Sequence, residues 1–239
     1  MTLLKICQDA ASEAGVIRPT SIIGATSTLE LKMRRAASRA GLGLAAAANW
    51  KALSKERTFT AIAGGAQTGL LPADFDRFEP ETFWDRTNLQ PLIECESPVE
   101  WAGLNAGNYA GTVRRFIRRG LDVSVIPAFS GGESLAFEYV SKNWCQSSGG
   151  TPQSDWAADT DTGILDEELL TLGTIFNYLT AEGLPAAVTQ ADFSARMAML
   201  LRNEKSAARL MVTGDIFGGH YRFQGGPRYN TDNIDNGWV

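Results

Sequence analysis

Hydrophobic spacing changes twice along this chain. It is helical up to about residue 51, turns to strand-like alternation over 52–145, and is helical again over 164–206. This order constrains the fold more than any single motif does. A helix must bury a stripe and a strand must bury a face, so segments of like period pack in layers. The expected fold is α+β: an antiparallel helical bundle from residues 1–51 and 164–206, with an antiparallel β-rich insertion at 52–145. Residues 146–163 are rich in Ser, Gly, Thr and Asp and predict a loop, and residues 207–239 predict an extended C-terminal arm.

The first helix is predicted over 3–14. Leu3, Leu4, Cys7, Ala10, Ala11 and Ala14 form one apolar stripe, with Thr2 as N-cap and Gly15 past the C-terminus. A second helix starts at Ser27, paired with Glu30 as a capping box, and runs toward Trp50. Its alanine-rich face suits close packing, and Gly41 and Gly43 predict a bend. Lys32, Arg34, Arg35 and Arg39 give it a basic side, which reads as a solvated face or as the complement of an acidic partner. The third long helix carries Asp166, Glu167 and Glu168 in its first turn, where negative charge opposes the helix dipole, and ends at Gly183. Pro185 opens a fourth helix with Phe193, Met197, Leu200 and Leu201, and the two form an antiparallel hairpin.

In the middle segment, alternation around Phe59, a Gly64-Gly65 turn and a partner strand over 67–71 predict a hairpin. Strands are also expected over 112–117 and 121–126, with a break at Pro127, and over 134–140. Ser97 and Glu100 mark a short helix over 97–104. The strand spacing fits a meander or a small sandwich.

Catalytic chemistry finds little support. Asp74, Asp76, Glu79, Glu81 and Asp85 form an acidic cluster that suits glycoside hydrolysis if two carboxylates flank a substrate, and turn or cap chemistry otherwise. Asp159, Asp161 and Asp166 lack the glycine and distal Glu of an EF-hand loop. Cys7, Cys95 and Cys145 are widely spaced, and His220 is the one histidine, so no clustered zinc ligands are expected. The glycines make neither a dinucleotide fingerprint nor a phosphate loop. No catalytic residue, cofactor or metal is therefore assigned, and a docking protein is expected rather than an enzyme.

Net charge is −5, which excludes a global basic footprint for nucleic acid. Arg114, Arg115, Arg118 and Arg119 form a local one, which suits either DNA or a neighbouring subunit. No apolar run approaches the ~20 residues of a membrane span, and the N-terminus lacks a signal-peptide layout, so synthesis in the cytoplasm is expected. Beyond 207, Phe217, Tyr221, Phe223, Tyr229 and Trp238 lie among Gly, Asn and Asp without helical period, which suits either a disordered tail or an arm that orders on a partner's sheet edge.

Several stretches, in order, resemble the head-to-tail adaptors of tailed bacteriophages, the tail tubular protein A-like first connectors. They are the opening through Ala11, the second helix to Trp50, Leu71-Pro72-Ala73-Asp74-Phe75 with Phe83-Trp84-Asp85-Arg86-Thr87, residues 137–144, and 159–162 leading into 165–173. Together they span roughly residues 1–205. The resemblance implies a virion protein at the head-tail junction, joining the portal protein to the next tail protein, a nozzle or tail tube. It also implies a ring of about twelve copies around a channel for packaged DNA, with heterologous contacts between copies. Arg34 and Arg35 on one side and Asp166 and Glu167 on the other are the candidate ring faces. A virion-associated peptidoglycan hydrolase and a DNA-end-binding packaging factor are the alternative readings.

Overall fold

The computed structural model describes residues 1–204. Within them the chain mixes α and β structure, with five α-helices and three sheets. Helices α1 (Leu3–Glu13) and α2 (Thr28–Ala47) come first. The middle holds β1 (Ser54–Thr60), β2 (Gly64–Gln67), β3 (Phe75–Phe78), β4 (Trp84–Asp85), β5 (Gln90–Pro91), β6 (Ile93–Glu94), α3 (Pro98–Ala106), β7 (Arg115–Arg119), β8 (Asp122–Phe129) and β9 (Ser134–Ser141). Short strands β10 (Cys145–Gln146), β11 (Pro152–Gln153) and β12 (Thr162–Gly163) precede α4 (Glu167–Glu182) and α5 (Ala187–Glu204).

A side-chain cap sets the N-terminus of three of the five helices. Thr2 Oγ1 accepts from the Lys5 amide at 3.3 Å, and Asp166 from the Leu169 amide at 2.9 Å. Ser97 accepts from the Glu100 amide at 3.2 Å, while Glu100 reaches back to the amide of Glu96, one residue before a standard capping box. The expected box at Ser27 is absent, since its side chain makes no cap hydrogen bond. In α1, Ile6 takes the buried place expected for Leu4, which is only partly buried.

One core joins α1, α2 and α4 through Leu3, Ile6, Met33, Ala37, Leu44, Leu169 and Ile175, and includes Val140, Trp144 and Trp156 from the strand segments. α2 runs unbroken through Gly41. A Cβ on Gly41 would lie 2.1 Å from the Trp144 ring, so this glycine seats the indole rather than marking a weak point. Trp144 in turn meets Trp156 edge-on at 4.9 Å. α5 packs on α4 with Phe193, Met197, Leu200 and Leu201 only partly buried, and no residue of α5 is fully buried.

The second core is aromatic. Phe75, Phe83, Phe116, Phe129, Leu135, Phe137 and Tyr139 fill the space between a sheet ordered β1-β9-β4-β5, in which β3 also pairs β9, and a sheet ordered β2-β8-β7-β6. β9 serves both cores: Leu135, Phe137 and Tyr139 face the aromatic one, and Val140 faces the helical one.

Four strand expectations need correction. The β1–β2 hairpin does not form: β1 pairs β9, and β2 pairs β8. The glycines read as a turn belong to β2, and a Cβ on Gly65 would lie 2.8 Å from the Val125 carbonyl, so Gly65 permits a close approach to β8. β8 continues through Pro127, because the register slip between Gly64 and Ala66 leaves a gap in the ladder there. The sheets are not wholly antiparallel, as β6 and β7 pair in parallel. The 146–163 segment is more than a loop. It supplies the small sheet β11-β10-β12 and buries Trp156 and Asp161, because the N-terminus pairs with it through Thr2 and Thr162.

Candidate functional site

The polar residues singled out in the sequence divide into those bound within the chain and those left facing solvent. Asp74 accepts from Lys55 Nζ at 2.7 Å, Ser141 Oγ at 2.9 Å and Tyr139 Oη at 3.0 Å. Burial opposes its ionisation, but these hydrogen bonds outweigh it and hold its pKa below the usual carboxylate range. Burial, reinforced by the Asp74 charge, pushes the Tyr139 phenol up to about 12. Asp76 pairs with Arg77, whose guanidinium also donates to the carbonyls of Ala45 (3.1 Å) and Ala48 (2.6 Å) at the end of α2. Glu79 accepts from Asn49 at 2.8 Å. Asp85 is fully buried, accepts from the amides of Thr87 and Asn88 at 3.0 Å each, and pairs with Arg114 at 2.9 Å. These carboxylates are each tied to a separate structural duty and do not converge on a common point.

Arg114 lies between Asp85 and Glu133 and stacks over Phe129 at 4.5 Å. Arg115 pairs with Glu100, and Arg118 lies 5.5 Å from the centre of the Phe75 ring. Arg114 and Arg115 are thus drawn into the β part, whereas Arg118 and Arg119 stay exposed. Beside the β part's arginines lies a polar recess of about 200 Å³ lined by Asn88, Gln90, Thr112 and Arg114. There Arg114 is already balanced by two carboxylates.

Asp159 accepts from the amides of Ile22 and Ile23 and from Ser21 Oγ, the shortest at 2.7 Å. Burial opposes its charge, but those bonds prevail and its pKa is lowered. Asp161 accepts from the amides of Ala157 and Ala158 at 2.7 and 2.8 Å. The aspartates considered for calcium are therefore loop clasps and a helix cap, and no group of metal-ligating side chains gathers among the described residues. All three thiols are buried, with burial first among the causes that raise Cys7 and Cys145 to about 12, the wrong direction for a nucleophile.

Of the candidate ring faces, Arg34 and Arg35 lie on α2 with Arg39, and no ion pair reaches these three among the described residues. Lys32 beside them pairs with Glu182 at 2.6 Å. Asp166 is held by Arg196 through two hydrogen bonds, at 2.7 and 3.2 Å, besides capping α4. Burial opposes its ionisation, but Arg196 and the cap lower its pKa. Glu167 pairs with the amino terminus of Met1. The acidic start of α4 is thus occupied inside the chain, and the arginines of α2 are not. Phe217, Tyr221, Phe223, Tyr229, Trp238 and His220 lie outside the described residues.

An open groove of about 390 Å³ lies on the solvent face of the β1-β9-β4-β5 sheet. Ala136 is its floor. Trp84 stands opposite Ala136 across β4 and β9, and Glu56 stands opposite Glu138 across β1 and β9. Glu81, Arg86 and Leu89 complete the rim. Sequence reasoning missed this groove, because only the strand register brings residues 56, 84 and 138 together. The available signal was Trp84, an aromatic residue within a polar stretch.

No family model matches the sequence, and no curated protein matches it.

Proposed function

We propose that this chain is a head-to-tail adaptor of the tailed-bacteriophage kind, a structural and non-enzymatic virion protein. In this reading its helices form an antiparallel bundle with the β part as an insertion, and residues 207–239 form an arm. About twelve copies close a heterologous ring between the portal protein and the next tail protein and help to retain packaged DNA in the channel. The observation that carries the reading is the ordered set of matching phrases from residue 1 to about residue 205.

Their positions support it. Arg77, close behind the 71–75 phrase, holds the end of α2. Trp144 fills the helical core against Gly41. Asp159 clasps the 21–23 loop. These residues, in or beside the resembling stretches, join the parts of a scaffold, as an adaptor requires. The separate structural duties of Asp74, Asp76, Glu79 and Asp85 take support from the hydrolase reading, leaving Glu81 alone of that cluster unpaired on the groove rim among the described residues. The ion pairs of Arg114 and Arg115 take it from the DNA-end reading.

Electron microscopy of phage particles made without this protein tests the proposal. Filled or leaking heads without tails, rescued by adding the purified full chain, are the expected result. Normal tailed particles in its absence would sink it.

A further inference from the structure

Two surfaces of this molecule are built in opposite sense. On α2, Leu31, Arg35, Arg39 and Leu42 follow one another at intervals of four, four and three residues, which places them on one side of the helix. All four are exposed, and each leucine keeps half its surface in solvent. The stripe is therefore apolar at both ends and cationic between, with Arg34 at its margin.

The groove on the outer face of the β1-β9-β4-β5 sheet has the complementary character. Its rim carries Glu56, Glu81 and Glu138 against one guanidinium, that of Arg86. Glu81 and Glu138 have no ion pair among the described residues, and Glu56 and Arg86 pair only with each other. Two features mark this rim as shaped for contact. Glu56 and Glu138 face each other directly across neighbouring strands, a like-charge pairing that costs stability and that Arg86 relieves at Glu56 alone. Three non-glycine residues in the described chain have positive φ, and two of them, Glu81 (φ 63°) and Leu89 (φ 54°), line this groove. Such backbone strain concentrates at binding sites. Trp84 and Leu89 remain 43% and 80% exposed, so indole and isobutyl surface is offered to whatever enters.

We infer that the α2 stripe of one copy docks into this groove on the next copy, with Arg35 and Arg39 entering between Glu56, Glu81 and Glu138 and the flanking leucines meeting Trp84 and Leu89. Complementary charge selects the second copy: the α2 arginines lack an acid among the described residues, and on the rim Glu81 and Glu138 lack a base there while Glu56 shares Arg86. The contact uses two different faces of each molecule and is therefore head-to-tail, which generates rings or filaments rather than closed dimers. This rests on the ring assembly proposed above and replaces Asp166 and Glu167 as the acidic half of the interface. An arginine over Trp84 adds cation–π attraction, and the charge component weakens as salt screens it.

Disulfide trapping on the full-length chain tests this. A chain carrying both Arg35→Cys and Glu138→Cys, oxidised at high concentration, gives a ladder of covalent multimers. A control pairing Glu13→Cys with Glu138→Cys gives none. Charge exchange supplies a second reading. Chains with Arg35→Glu and Arg39→Glu, or with Glu56→Arg and Glu138→Arg, each lose self-association in sedimentation, and mixing the two restores it. Absence of the ladder from the R35C/E138C chain, or charge reversals without effect on association, overturns the interface. If tailless particles are still rescued by wild-type protein, the adaptor reading survives that failure. A ladder without rescue keeps the interface and removes the adaptor reading.

Discussion

The helical core and the β core of this molecule are solid for different reasons. The first joins small residues, Ala10, Ala11, Ala36, Ala37 and Gly41, with three tryptophans, Trp50, Trp144 and Trp156, so helices come close and the Trp144 indole has one seat. The second is a cluster of rings in which Phe137 lies 5.1 Å from Phe78, 5.3 Å from Phe83 and 6.0 Å from Phe59. Buried charge differs too. Near the helices, Asp159 and Asp161 are satisfied mainly by backbone amides, whereas in the β part Asp85 also leans on a guanidinium. A core of small residues resists added volume, and a core of rings resists its removal.

Truncation gives the largest effect. Phe137→Ala is expected to cost about 3–5 kcal/mol in urea unfolding, in the range for buried aromatic deletions. Because Phe137 contacts five other rings, the near-ultraviolet dichroism of the β part should collapse with it. Next comes the buried charge. Arg114→Met strands Asp85 and is expected to cost about 3–5 kcal/mol, and adding Asp85→Asn should recover much of that loss by removing the uncompensated charge. Equal instability of the single and double variants would show that Arg114 acts by packing alone.

Added volume separates two glycines of one helix. Gly41→Ala pushes a methyl group into the Trp144 ring and is expected to destabilise by about 1–3 kcal/mol. Gly43→Ala meets no atom within 4 Å on an exposed face and is expected to stabilise by up to about 1 kcal/mol. Thermal melts of the pair read the contrast as a difference in sign.

Acid sharpens the comparison of charges. Asp74, Asp159, Asp166 and Glu133 have lowered native pKa values. Their contribution is complete above the ordinary carboxylate pKa of about 4 and is lost as pH falls through the lower native values. Glu94, raised by burial, works in the opposite direction. The Asp159→Asn variant should therefore lose less of its melting temperature between neutral pH and pH 3 than the wild type does. The smallest effect concerns the thiols: Cys7 and Cys145 should react with a disulfide reagent only as fast as the chain opens, at every pH below about 12.

Helix existence was readable because caps and apolar spacing are local. Thr2 and Ser97 cap where the sequence places them, and Asp166, read as part of the first turn, is the residue that caps α4. Strand partners were not, since pairing is decided by residues far apart: Phe59 alternates as a strand residue, yet nothing beside it identifies Leu135 as its neighbour. The same blindness hid the groove around Ala136. Loop composition misled at 146–163, where Asp159 clasps the 22–23 segment, Asp161 closes its own turn and Trp156 is a core residue. The basic side of α2 was visible from spacing alone, and its acidic complement required the fold.

The helical core draws on residues from Leu3 to Tyr178, with the whole β part lying between its two halves, whereas the aromatic core is assembled from residues 59–139. A ribosome therefore delivers every ring of the aromatic core well before it delivers α4. Until then α1 and α2 hold an open apolar face, and closing it requires a loop spanning the entire β part. Synthesis order thus favours a β part that condenses first and then presents Val140 and Trp144 as the template on which the two ends of the described chain meet.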